Sequence, residues 1–384
     1  MKLEKNSIAP YEFTFSIVCF MHGTVLRSGY IISITRQDSW VMGITGFLFS
    51  LLILLIYSLL IKRFPSKNLM EINEAVFGTV GGKIISALYF FFFISLAALN
   101  TRDAGNFVTG YMMPETPIRA IALMFLFACM YAIKKRLSNL FHLSTLIVIV
   151  VLVAMILNTV LIFKDINFDF LSPLFQLEPQ KYIQGTVSLA AVPLGEVLIF
   201  MMLTPMVNNH KKASRALFFG IVISTISMIL VMLRDIVTLG PLVSVVSLPT
   251  LESIRYVSLD DIISRLESIY ATLLIILLIF KVTVLLYVSV LSFSQITGST
   301  PTYDATSLSE LCHDKPIKTP VLPILAALTF FYSIFVFESV MENIQWGATA
   351  APFFSLTFEL LLPAVTLLTA VLRKKKIRFK EVTA

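Results

Sequence analysis

The chain has 384 residues, of which 57% are hydrophobic and only 14% are charged, and its formal net charge is +7. Soluble globular proteins carry about 25% charged residues, so this composition excludes a water-soluble enzyme or nucleic-acid-binding protein and predicts an integral membrane protein. The three cysteines and four histidines are scattered along the chain, which predicts no disulfide framework, metal site or cofactor.

Ten apolar segments follow one another, each near the length of about 20 residues that a helix needs to cross a bilayer. They cover residues 11–34, 40–61, 84–111, 118–133, 140–163, 184–207, 216–239, 269–293, 321–337 and 351–372. The fourth and ninth are the shortest. Because backbone polar groups in lipid must be satisfied within their own segment, we predict an all-α polytopic membrane protein.

The basic residues orient these spans. Of the 30 Lys and Arg residues, 20 fall in one set of alternate loops and tails, seven in the other set and three within spans. Basic loops stay in the cytoplasm, so we predict that both termini are cytoplasmic. The chain is then one membrane domain, residues 1–384, with a basic cytoplasmic tail at 373–384. Apolar residues at helical spacing predict a short amphipathic helix at 65–83.

Three spans contain residues that lipid rejects. The first is interrupted at His22-Gly23-Thr24 and again at Arg27-Ser28-Gly29, the sixth at Pro193-Leu194-Gly195-Glu196, and the eighth carries Lys281. Gly23, Glu196 and Lys281 each lie about 12 residues from the ends of their spans, which puts all three near the bilayer midplane at a rise of 1.5 Å per residue.

Transporters built from inverted repeats hold their substrate between two interrupted helices at this depth. The interruptions fall in the first and sixth of ten spans, so we predict a five-plus-five repeat, with repeat one at about 8–163 and repeat two at about 184–372. A Pro-Gly pair can also merely kink a packed helix, and Gly can merely allow close helix contact.

The candidate site residues follow from these interruptions. The predicted ligand-binding residues are Gly23, Thr24, Val25, Val192, Pro193, Leu194, Gly195 and Glu196. A charged Glu196 in hydrocarbon needs a partner, a proton or a wet cavity, and Lys281 is either a functional internal cation or part of a structural ion pair. Asn100, Arg102 and Asp103, toward the outer part of span three, form a candidate outer vestibule; a snorkelled Arg with a local pair explains them equally well.

Several stretches, taken in order, carry a resemblance to a known family. They are Thr101-Arg102 followed by Met113-Pro114-Glu115-Thr116-Pro117, then Pro193-Leu194-Gly195-Glu196-Val197, Arg265-Leu266-Glu267-Ser268, and Lys281 followed by Tyr287. With these, the chain resembles the B subunits of the GerA-type spore germinant receptors, a branch of the amino acid–polyamine–organocation transporter superfamily.

The resemblance implies a LeuT-like fold with helices one and six broken. It also implies a membrane-embedded sensor of a germinant, commonly an amino acid, that assembles with A and C subunits in the inner membrane of the endospore. A coupling cation lies between spans one and eight in LeuT-like folds, which makes Lys281 a candidate replacement for that cation.

We expect peptide amides at residues 23–25 and 195–197 to hold the carboxylate of a small zwitterionic ligand, with Glu196 near its ammonium group or protonated. A proton- or cation-coupled amino-acid transporter fits the same residues. No HExxH motif, G-x-S-x-G motif or midplane Asp or His pair is present, so we predict that the protein is not an enzyme.

Overall fold

A computed structural model describes residues 8–24, 28–135, 137–208, 210–255, 266–298 and 321–374. Helices make up nearly all of these residues, and the described part contains one short backbone bridge of the β type, between Ile8 and Val207. The all-α prediction is therefore confirmed for the described residues.

The helices are numbered in chain order. They are α1 (Pro10–His22), α2 (Ser28–Thr35), α3 (Ser39–Arg63), α4 (Leu69–Tyr111), α5 (Ile118–Lys134), α6 (Leu137–Leu161), α7 (Pro179–Leu189), α8 (His210–Leu239), α9 (Pro249–Arg255), α10 (Leu266–Ile296), α11 (Val321–Phe335), α12 (Val340–Thr349), α13 (Ala351–Leu356) and α14 (Leu362–Leu372). Turns of 3₁₀ or π geometry extend or join several of them.

Seven helical stretches in the described residues are long and apolar enough to cross a membrane, and an eighth is added if α11 and α12, joined by a 98° bend, count together. The two other predicted spans are present as helices that fall below this length. The first is divided into α1 and α2, of 13 and eight residues, and the fourth is α5, of 17 residues. The ninth span ends in the sharp bend rather than running straight to residue 337.

The predicted interruption of the first span is present. α1 begins at Pro10, where the carboxylate of Glu12 accepts the N–H of Ala9 at 2.9 Å, and it ends at His22. Gly23 and Thr24 form a turn, and α2 begins at Ser28. Val25, predicted to bind ligand, lies outside the described residues.

The predicted interruption of the sixth span is present as a change of helix type. α7 passes into a π-helical turn at Ala190–Leu194 and then into a 3₁₀ helix at Gly195–Met202. Pro193 has no N–H to donate to the preceding turn, and π turns inside α-helices commonly accompany functional positions. The backbone thus changes helix type without leaving helical conformation, and few peptide groups are freed here.

The last span is divided similarly. A π turn at Thr357–Leu361 separates α13 from α14. Pro352 and Pro363 each deprive the carbonyl four residues earlier of its N–H donor, and other helices supply the missing donors. Gln184 Nε2 donates to the Ala348 carbonyl at 3.0 Å, and the Tyr57 hydroxyl donates to the Glu359 carbonyl at 2.6 Å.

Contacts between loops show which helix ends share a face of the molecule. The Ile8 N–H donates to the Met206 carbonyl and the Asn208 N–H donates to the Ile8 carbonyl, at 2.9 and 3.0 Å. At the opposite ends of their spans, the Asn167 N–H donates to the Val237 carbonyl at 2.9 Å. These contacts agree with spans that alternate in direction, as the basic residues predicted.

The amphipathic helix before span three is also present. Asn68 and Glu71 form a capping box at its start, and its residues Leu69, Ile72 and Val76 are fully buried. The helix is kinked at Gly78, whose φ of 83° lies in the region that favours glycine. Val80 lies beyond the kink and is 76% exposed.

Candidate functional site

A buried ion pair joins spans one, six and eight. Lys281 of α10 is completely buried, and its Nζ donates to Glu196 Oε2 at 2.5 Å. The same Nζ donates to Thr24 Oγ1, also at 2.5 Å. Thr24 lies in the turn after α1 and Glu196 lies in the 3₁₀ helix after the π turn, so the ammonium group links both predicted interruptions.

The absence of a side chain at Gly23 lets α1 approach α10. A Cβ at this position would lie 3.1 Å from the Leu277 carbonyl oxygen and 3.2 Å from Lys281 Cβ and Cδ, which is tighter than ordinary van der Waals contact. On the α1 side, the Phe20 ring centroid lies 4.8 Å from Lys281 Nζ, and a cation over a ring face gains a further favourable interaction. Among the described residues, the ammonium thus contacts the oxygens of Thr24 and Glu196 and the ring of Phe20.

Charge balance explains why these residues occur together. An isolated ion in a low-dielectric interior carries a desolvation cost of several kcal/mol, which a partner in good geometry offsets. Glu196 is 1% exposed and Lys281 is not exposed. The pair therefore stabilises the contact between the helices only while both partners are present.

A second carboxyl group, Glu359, lies beside this pair and was not singled out from the sequence. It belongs to the π turn of the last span and is fully buried. A Cβ added at Gly195 would overlap its Oε2 atom, so the carboxyl group lies directly against the residue that precedes Glu196. Glu359 is the single charged residue of its apolar segment, and the rule that identified Glu196 could have found it.

Neither carboxyl oxygen of Glu359 has a hydrogen-bond partner among the described residues. Buried polar atoms are nearly always hydrogen-bonded, and exceptions in a native structure need an explanation such as a ligand, a proton or a catalytic role. The candidate site therefore contains one ion pair and one further carboxyl group.

A cavity of about 130 Å³ lies next to the turn of the first span. Its walls are mostly apolar side chains of α6, α8 and α10. His22 and Leu277 border it, and these residues lie one position from Gly23 and one helical turn from Lys281. Two hydrogen bonds fix His22: its Nδ1 donates to the Val18 carbonyl at 2.8 Å, and its Nε2 is hydrogen-bonded to the Ser227 hydroxyl at 2.9 Å.

A second buried charge pair borders the same cavity. Arg234 donates to Asp235 Oδ1 through Nε and Nη2, at 3.0 and 2.6 Å. Thr250 donates to Asp235 Oδ2 at 2.6 Å, and Ser253 donates to Oδ1 at 3.0 Å. Neither Arg234 nor Asp235 was singled out from the sequence; their position inside an apolar run was the available signal.

Two of the three predicted vestibule residues, Arg102 and Asp103, bond to α11 and α12. Asn100 donates to the Leu96 carbonyl of its own helix at 2.8 Å. Arg102 donates to the Ile334 carbonyl near the end of α11 at 3.1 Å, and Asp103 accepts from Asn343 of α12 at 2.7 Å. These bonds hold the bend between α11 and α12 against α4. A role in an outer vestibule stays a prediction.

The structure thus brings Gly23, Thr24, Gly195, Glu196 and Lys281 together. The remaining described members of the predicted ligand-binding set lie in the π turn and are buried; they are Val192, Pro193 and Leu194. Within the described ranges, no group of three His, Cys, Asp or Glu side chains is placed to hold a metal ion.

Comparison with known proteins gives a consistent result. A family model described as "Spore germination protein" matches residues 7–340. Spore germination protein KB of Bacillus subtilis (strain 168) is 24% identical over 97% of this chain and 97% of its own length. Spore germination protein A2 of the same organism is 24% identical over 66% of this chain and 72% of its own length.

Among solved structures, the chain is similar to Mhp1, a nucleobase-cation-symport-1 family transporter, in a closed conformation with bromovinylhydantoin bound. The TM-score is 0.55 at 13% identity, over 97% of this chain and 94% of Mhp1. A manganese transporter of Eremococcus coleocola gives a TM-score of 0.51 at 13% identity, over 94% of this chain and 78% of the transporter. These likenesses concern the fold, and they confirm the predicted LeuT-like architecture.

Proposed function

Because this chain belongs to the spore germination protein family, we propose that it is the membrane-embedded subunit of a germination receptor that senses a small germinant, most simply an amino acid. The site is the region around the Lys281–Glu196 pair, where the first span is interrupted. This proposal adds the ligand and the sensing role to the family membership and to the LeuT-like fold.

The single observation that carries the proposal is the ion pair at the interruption of the first span. Lys281 and Glu196 present one positive and one negative group, 2.5 Å apart and removed from water. A zwitterionic amino acid carries the same two charges. It can replace the internal pair by exchanging partners, with its ammonium on Glu196 and its carboxylate on Lys281. Net charge in the core is unchanged, so the exchange avoids leaving an unpaired buried ion.

The neighbouring cavity suits the ligand's side chain. Its volume of about 130 Å³ is close to that of the engineered apolar cavity of 150 Å³ that binds benzene. Apolar side chains line most of it, and it reaches His22 beside the turn. An aliphatic or aromatic side chain therefore fits this space, and the ligand is expected to be an apolar amino acid.

Lys281 gives this site its own fixed cation. Its ammonium bridges the turn after α1 and the helix of span six. Lys281 belongs to span eight, and LeuT-like folds hold a coupling ion between spans one and eight. We expect ligand binding to be independent of sodium for this reason. Binding then shifts the protein between two conformations, and partner A and C subunits in the inner spore membrane receive that change.

The alternative is a proton- or cation-coupled amino-acid transporter. The interrupted first span and the buried carboxylates favour it equally. Uptake of radiolabelled amino acids into proteoliposomes separates the two functions, because a sensor binds its ligand without concentrating it.

The test of the proposed site uses spores that carry single variants. In Glu196→Gln and Gly195→Ala spores, we expect the response to a panel of apolar amino acids to be lost or strongly weakened. Glu178→Gln, at an exposed position before α7, is the matched control and should respond normally. Normal responses in both site variants would contradict the proposal.

A further inference from the structure

Glu359 is the buried titratable group that the proposed ligand exchange does not use. It is fully buried at the π turn of the last span, and both of its carboxyl oxygens lack a hydrogen-bond partner among the described residues. An ionised carboxylate without donors in such a place is strongly disfavoured, and the group takes up a proton instead.

The charge balance of the groups around Glu359 also indicates that Glu359 is protonated. The charged side chains that act on it within the described residues are Glu196 and Lys281. Tyr57 of α3 and Tyr89 of α4 are the other titratable groups packed near it, and both are neutral near pH 7. Lys281 already pairs with Glu196. One ammonium and two carboxyl groups reach neutrality with one proton, and the geometry leaves that proton to Glu359.

We propose that Glu359 is a proton-binding site, occupied while the Lys281–Glu196 pair is closed.

The proton site is tested by infrared spectroscopy of the purified full chain in lipid nanodiscs, without any germinant. A protonated carboxylic acid has a C=O stretching band that an ionised carboxylate lacks. We expect this band at neutral pH in the wild type, and we expect Glu359→Asp to shift it. Glu196→Asp is the matched control. It keeps a negative charge opposite Lys281 and should leave the band in place. Absence of the band from the wild type, or a shift in Glu196→Asp alone, would overturn the assignment.

The charge balance is tested by Glu196→Gln, which removes the negative charge of Glu196. The carboxylate of Glu359 then balances the charge of Lys281, so the acid band should disappear although Glu359 is unchanged. Persistence of the band would overturn the charge balance from which the protonation of Glu359 is inferred. None of these measurements uses a ligand, so failure of the germinant response would not affect their outcome, and loss of the proton site would leave the response experiment intact.

Discussion

Lys281 is the residue on which the centre of the molecule depends, because its ammonium group bonds both to the turn after α1 and to span six. Replacing it by Met leaves Glu196 buried without its cation. We expect a loss of about 3–5 kcal/mol in the free energy of unfolding, the range found when one partner of a buried pair is removed. Denaturant-induced unfolding of the purified protein measures this loss.

The double variant Lys281→Met/Glu196→Gln is the informative companion to that change, since it removes both charges. It should recover most of the lost stability. Lys164→Met, at an exposed position, should change little. A double variant as unstable as Lys281→Met alone would show that the pair is not what stabilises this contact.

Gly195 is required at its position by the carboxyl group of Glu359, which lies where a Cβ would be. We expect Gly195→Ala to lower stability by about 1–3 kcal/mol, as overpacking of a filled core does. In a Glu359→Ala background the same substitution should cost less, because the obstructing group is gone. A double-mutant cycle on unfolding free energies measures this coupling, and strictly additive effects would contradict the contact.

The irregular turns of spans six and ten are the elements that shape the site. In the last span, Pro363 removes the N–H that would bond the Glu359 carbonyl, and the hydroxyl of Tyr57 replaces it at 2.6 Å. A buried carbonyl without a donor costs about 1–3 kcal/mol. We therefore expect Tyr57→Phe to lower the unfolding free energy by that amount.

The proline variant provides the control for this prediction. Pro363→Ala restores a backbone N–H at the position four residues after Glu359, so Tyr57→Phe should be less destabilising in that background. The comparison is made on the same unfolding measurement. An equal cost in both backgrounds would mean that Tyr57 stabilises the π turn through its ring packing alone.

At the scale of the whole molecule, the cavity lies between α6, α8 and α10 and ends beside the interrupted first span. Ala154→Phe puts an aromatic ring into this space. If the ligand's side chain occupies the cavity, spores with this variant should lose their response to large apolar amino acids and keep more of it for small ones. Ile156→Phe, on the same helix but 66% exposed, is the matched control. An equal loss for large and small ligands in Ala154→Phe alone would place the side chain elsewhere.

The fold could be predicted from the sequence to the extent that it depends on residues near one another in the chain. Apolar length located the spans, alternating basic loops gave their relative direction, and Gly23 marked the real interruption of the first. The sequence does not reveal the rotation of each helix about its axis. Lys281 and Thr24 are 257 residues apart, so their bond depends on packing that no local pattern records.

The same limit explains what was missed. Glu359 has the same residue type as Glu196 and is equally buried. The prolines of its segment lie four and seven residues away, whereas Pro193 and Gly195 lie within three residues of Glu196 and mark it more clearly. The helix type of span six also could not be predicted from the sequence. Pro193 predicts an irregularity but does not distinguish a π turn from an unwound segment. Arg234 and Asp235 were overlooked because they lie near a span end, where charged residues usually reach water.

The backbone bridge at Ile8 makes the two halves of the chain mechanically continuous. Ile8 lies two residues before α1, and Met206, to which it bonds, lies ten residues after Glu196. Any force applied to the polypeptide ahead of Ile8 is shared through these backbone hydrogen bonds between the first and sixth spans, which both contact Lys281. A protein that grips this edge could strain the ammonium contact from outside the lipid, without touching it.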